Sequence, residues 1–205
     1  MTVEPLNEDQ SDALQELSNV AMGRAGKSLS TLLDTFVVLS VPRVKVVDVE
    51  EVAESVANMA NAPEVVTAVR QAFFPEIRGE AITLFGPEGC RDLADLMGHE
   101  GALVESQEEE LLLDTANILV GAVLNGLGEQ METEFKYTPP SILAVRTPLR
   151  ELLQADNLDW NCALLVEVNF SLDERGFTCH MLTLMPEVSL EIIRKTLDKM
   201  LEELF

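Results

Sequence analysis

The strongest constraint on the fold is a repeat. Asn19 and Asn117 stand 98 residues apart, as do Gly23 and Gly121, and Pro42 and Pro140. Further along, Pro87-Glu88 and Pro186-Glu187 are 99 apart, so the second copy has gained one residue. A pattern used twice in 205 residues implies two like units related by a pseudo-twofold axis. No Pro-, Gly- or Ser-rich linker separates them. We therefore read residues 1–205 as a single domain, with repeat one at about 7–98 and repeat two at about 105–205.

Each copy runs through the same order of elements. From Asn7 to Thr35, Leu14, Leu17, Ala21, Ala25, Leu29 and Leu32 recur at three- and four-residue intervals, which predicts a long amphipathic helix. The Val-rich stretch Phe36–Val49, broken by Pro42, predicts strand, and a short helix follows over Glu50–Ala60. Glu64–Phe74 and Ile77–Phe85 read as strands around Pro75, and Gly86-Pro87-Glu88 opens a helix reaching Met97. In the second copy the counterparts are a helix over Ser106–Met131, strand over Thr133–Arg146 and a short helix over Pro148–Gln154. A hairpin of Trp160–Leu172 with Phe177–Leu184 and a closing helix over Pro186–Leu204 complete it. The expected class is α/β (α+β), in which two similar halves share one mainly antiparallel sheet and long helices lie on its faces. Gly23 and Gly121, at matching places on the long helices, predict close backbone approaches.

Charge removes several classes of partner. With 36 acidic and 14 basic residues the formal charge is −22, which repels nucleic-acid phosphates and anionic membrane surfaces. No run of about 18 uncharged apolar residues occurs, so no membrane span is expected. The start MTVEPLNEDQ is acidic and lacks the apolar stretch of a secretory signal, so a cytoplasmic chain is expected. Cys90, Cys162 and Cys179 are odd in number and show no CxxC spacing, which favours reduced core thiols over zinc or disulfides.

The chemistry-bearing pattern lies on the first helix of each copy. At about 100° per residue, Asp12, Glu16 and Asn19 fall within about 60° of one another, opposite the apolar stripe. Alone, such a trio is ordinary solvation of an outer helical face. Its recurrence shifts that balance: Glu110, Asp114 and Asn117 repeat the i, i+4, i+7 spacing, and 22 residues again separate Asn from a proline, Pro42 or Pro140.

On these residues the chain resembles the CheC, CheX and FliY family of phosphatases, whose signature runs Asp or Ser, three residues, Glu, two residues, Asn, 22 residues, Pro. Asp12, Glu16, Asn19 and Pro42 meet it in full; Glu110, Asp114, Asn117 and Pro140 keep the spacing and differ at two identities. The resemblance covers nearly the whole chain and is to the CheC-like, two-motif form. It implies hydrolysis of the phospho-aspartate of a CheY-like receiver domain. Asn19 and Asn117 would orient the attacking water, Glu16 and Asp114 would pair with the receiver's lysine, and Asp12 and Glu110 would touch the partner. Pro42 and Pro140 would be structural marks of the motif. The family needs no cofactor of its own, since Mg²⁺ belongs to the receiver, and its members also bind the deamidase CheD. The same resemblance brings in a rival, the middle domain of the flagellar switch protein FliM, which shares the architecture and acts as a scaffold without catalysis.

Asp114 is one methylene shorter than Glu, about 1.5 Å of reach, which ranks the first motif above the second. Ala21 to Ser28 resembles a relaxed phosphate loop ending Gly26-Lys27-Ser28, but a working loop joins a strand to a helix, and here the periodicity keeps these residues inside a helix. His99 and His180 stand alone, without metal-ligand spacing.

Overall fold

In the computed structural model the described residues are 6–33, 36–40, 43–57, 63–87, 93–94, 103–152, 162–172 and 178–203. The first copy supplies α1 (Glu8–Leu33), β1 (Val37–Leu39), β2 (Arg43–Asp48), α2 (Val49–Ala57), β3 (Val65–Phe74) and β4 (Gly79–Phe85). The second supplies α3 (Glu105–Met131), β5 (Lys136–Tyr137), β6 (Ser141–Pro148), α4 (Leu149–Leu152), β7 (Cys162–Leu172), β8 (Thr178–Pro186) and α5 (Glu187–Glu202). These match the expected order within a few residues. Pro42, Cys90, His99 and the turn at 173–176 lie outside the described residues, as does most of the helix expected to reach Met97.

Among the described residues eight strands form one antiparallel sheet in the order β1-β7-β8-β4-β3-β5, with β2 also on β7 and β6 also on β3. Exchanging the halves reproduces this order. The seam is β4 against β8, where Ile82 faces Leu182 and Thr83 faces Met181. A 99-residue offset converts the first pair into the second, so the pseudo-twofold axis passes between them. Each half also lends its outer strands to the other: β2 pairs with β7 from Arg43–Glu167 to Asp48–Cys162, and β6 pairs with β3. The interlocked strands of the two copies thus form one continuous sheet.

Residue alternation on the strands selects two helical layers. Val69, Phe73, Ala81, Phe85, Cys179 and Met181 face α1, α3 and α5, burying Leu14, Ala21, Leu119, Leu124, Ile193 and Leu197. Ile82, Leu84, Leu182 and Leu184 face the opposite way, against Val52 and Val56 of α2 and Leu149 and Leu152 of α4. By length and composition α3 could cross a membrane, yet 67% of its apolar window is buried in the protein, as suits a core helix.

Both Asn-bearing helices belong to the first layer and lie against each other. They meet closely at Gly126, where an added Cβ would come 2.9 Å from Ala21 Cα and 3.1 Å from its carbonyl oxygen. Among the described residues nothing lies within 4 Å of a Cβ added at Gly23, where a close approach was expected. Gly121 is crowded too, but by a side chain rather than a neighbouring backbone: the Tyr137 hydroxyl lies 2.8 Å from where its Cβ would stand. An ion pair of Arg24 with Glu129 bridges the two helices at the surface.

Candidate functional site

The start of α1 is set by a reciprocal cap. Asn7 Oδ1 accepts from the Gln10 backbone N–H at 2.8 Å, and Gln10 Oε1 accepts from the Asn7 N–H at 3.0 Å. Gln10 Nε2 also donates to Asp198 Oδ1 at 2.6 Å, tying this end of α1 to α5. With Leu14, Ala21 and Ala25 buried, the helix can turn only one way, and Asp12, Glu16 and Asn19 are exposed together. On α3, Gln107 Oε1 accepts from the Val104 N–H at 3.1 Å, while Leu111, Leu112, Ala116 and Leu119 anchor the buried side. That arrangement exposes Glu110, Asp114 and Asn117. The structure thus puts two trios, each with two carboxylates and an amide, on equivalent faces of neighbouring helices.

The trios differ in what lies beneath the asparagine. Asn117 Oδ1 accepts from Gln71 Nε2 at 3.0 Å, and the same nitrogen donates to the Thr138 carbonyl oxygen at 2.9 Å. Thr138 is itself clamped to β3, its N–H donating to the Ala72 carbonyl at 2.9 Å and its Oγ1 accepting from the Ala72 N–H at 3.1 Å. Among the described residues no hydrogen bond holds the Asn19 side chain. Tyr137, whose hydroxyl lies over Gly121 one turn beyond Asn117, further distinguishes the second trio; the 98-residue offset puts Leu39 at the matching place in the first copy.

Gln71, Thr138 and Tyr137 were not singled out by motif spacing. A signal for one existed: Gln71 and Asn169 are both amides 98 residues apart, the offset that relates Asn19 to Asn117. Pro140 is half-buried between β5 and β6, two residues beyond Thr138. The phosphate-loop-like residues Ala21–Ser28 lie wholly within α1, with no strand leading into them. Among the described residues no group of three or more His, Cys, Asp or Glu is placed to hold a metal ion. Burial pushes the Cys179 thiol far up, so it stays protonated and unreactive in the folded core.

No family model matches the sequence. The fold is nevertheless similar to those of FliY, CheX and CheC-like proteins. In particular, the chain is similar to FliY of Thermotoga maritima at 16% identity and a TM-score of 0.70, covering 95% of this chain and 98% of that one. A chemotactic CheC-like protein of Shewanella oneidensis matches at 14% identity and TM-score 0.52, over 82% of this chain and 95% of that one. The FliM middle domain of H. pylori also matches, at 14% identity and TM-score 0.59, over 93% and 99% respectively. At these identities the likeness is one of fold.

Proposed function

We propose that this chain is a protein phosphatase that removes the phosphoryl group from the phospho-aspartate of a CheY-like receiver domain. The observation that carries the reading is the pair of exposed asparagines, each with a carboxylate three residues before it, at equivalent positions of α1 and α3. A fold shared with CheC-like proteins supports it.

An acyl phosphate needs little covalent help to hydrolyse. Water attacks phosphorus in line, the bond from phosphorus to the aspartyl oxygen breaks, and inorganic phosphate and a free carboxylate result. The receiver supplies Mg²⁺ and a lysine to balance the phosphoryl charge. What this chain adds is an amide inserted beside the phosphoryl group, able to accept from the attacking water and donate to an oxygen on phosphorus. A carboxylate there would repel the same oxygens. Glu16, and Asp114 with its shorter reach, would engage the receiver's lysine and fix the helix in register, with Asp12 and Glu110 at the edge of the contact. Such a substrate is cytoplasmic, and the reading puts this chain there as well. CheD is a second partner under this reading, and binding of the purified proteins tests it.

Mixing the protein with a phosphorylated receiver and Mg²⁺ and following phosphate release tests the reaction. Asn19→Ala and Asn117→Ala should each lower the rate, and the double variant should lose about 10²-fold or more. A double variant as active as the parent overturns the reading. The similarity to the FliM middle domain favours one alternative, a scaffold that binds a receiver without hydrolysing its phosphoryl group. Receiver binding by the parent without accelerated phosphate loss would establish that instead.

A further inference from the structure

We infer that Gln71 is a positioning residue for Asn117, fixing which end of the Asn117 amide faces a docked partner. Its kinetic consequence rests on the phosphatase reading above, whereas its geometry does not.

Which amide atom points where follows from one atom of known character. The Thr138 carbonyl oxygen can only accept, so the Gln71 atom 2.9 Å from it is the nitrogen. That nitrogen is also 3.0 Å from Asn117, whose facing atom must then be the acceptor, Oδ1. Both Gln71 N–H groups are consumed, and the Asn117 Nδ2 is left as the outward end. Because Thr138 is bonded twice to Ala72, the orientation is transmitted from the β3 backbone through Thr138 and Gln71 to Asn117. Asn117 Oδ1 keeps a second lone pair for a water while its NH₂ group points outward to donate to an oxygen on phosphorus.

A core role does not account for Gln71. It is 1% exposed, on the strand face that carries Val69 and Phe73, and its buried Oε1 has no partner among the described residues. Met or Leu would fill the same space, but neither could donate to the Thr138 carbonyl and Asn117 Oδ1. The amide is explained by what its nitrogen holds. Asn19, with no such hold among the described residues, would be oriented only on docking. The two sites are therefore unequal in the opposite sense to their motifs: the first has the fuller motif, and the second has the prearranged amide.

The test combines kinetics with a structural readout on the full chain. In an Asn19→Ala background, where the remaining hydrolysis runs through Asn117, Gln71→Met should lower kcat about tenfold with KM for the phosphorylated receiver changed less than twofold. In a double-mutant cycle the loss should vanish when Asn117 is already Ala. In parallel, side-chain couplings measured by NMR should give a single Asn117 rotamer in the parent and an averaged one in Gln71→Met, with Asn19 averaged in both. An averaged Asn117 in the parent overturns the inference even if Gln71→Met fails to fold. An unchanged kcat, or a loss that persists without Asn117, overturns it as well. If the parent hydrolyses no receiver phosphate, the phosphatase reading fails, and the Asn117 rotamer alone then decides the positioning role.

Discussion

Replacing Gly126 by Ala should destabilise the protein even though Ala is the better helix former. In an exposed helix interior that exchange stabilises by about 1 kcal/mol. Here the new methyl would lie 2.9 Å from Ala21 Cα, 3.0 Å from its Cβ and 3.1 Å from its carbonyl oxygen, well inside the roughly 3.5–4.0 Å carbon–carbon optimum. Two of the three atoms are backbone, so no rotamer change relieves the contact; α1 and α3 must move apart by several tenths of an ångström. Overpacking of this kind costs about 1–3 kcal/mol, and the backbone partners favour the upper end. Set against the propensity gain, the net loss is about 2 kcal/mol, or roughly 4–8 °C in Tm for a chain of this size. Gly23→Ala is the internal control, with no described residue within 4 Å of its Cβ, and should raise Tm by roughly 2–4 °C. Thermal unfolding followed by circular dichroism measures both. If the two substitutions shift Tm in the same direction, the claim that Ala21 and Gly126 set the helix spacing is refuted. That spacing also sets how far apart the two Asn-bearing faces stand, so Gly126→Ala should slow phosphate release more than Gly23→Ala does.

Three further outcomes follow from individual contacts. Ser189 is fully buried, accepting from the Arg78 N–H at 2.9 Å and donating to its carbonyl at 2.7 Å, so Ser189→Ala should cost about 1–2 kcal/mol in urea unfolding by removing both part-buried bonds. Asn7→Ala removes the cap of α1 and should cost about 1 kcal/mol by the same measurement. Cys179, buried with its thiol held protonated, should resist alkylation in the native protein at pH 8 and react once denaturant is added; peptide mass spectrometry that finds it labelled without unfolding would contradict this.

Much of the architecture was legible because it is written in local period. Leu14, Ala21 and Ala25 recur at helical spacing, which fixed the buried face of α1 and, by exclusion, the exposed trio Asp12, Glu16 and Asn19. The 98-residue offset carried the same assignment to Asp114 and Asn117. Gly23 shows where that logic stops: a repeated glycine marks an equivalent position, while the neighbour that makes it necessary differs between the copies. Tyr137 crowds Gly121, and among the described residues nothing crowds Gly23.

The sequence by itself showed the duplication through its 98-residue offset, and it determined the described helices and strands of each half and which face of each long helix meets water, since these last depend on residues within a few positions of one another. The tertiary structure alone decided that β2 and β6 cross to the other half, because alternation says which side of a strand is apolar and nothing about its neighbour. It alone also made the two amides unequal. The bond from Gln71 to Asn117 joins residues 46 apart, and its direction is set by a backbone carbonyl at Thr138, a group that every residue carries and that no side-chain pattern can reveal.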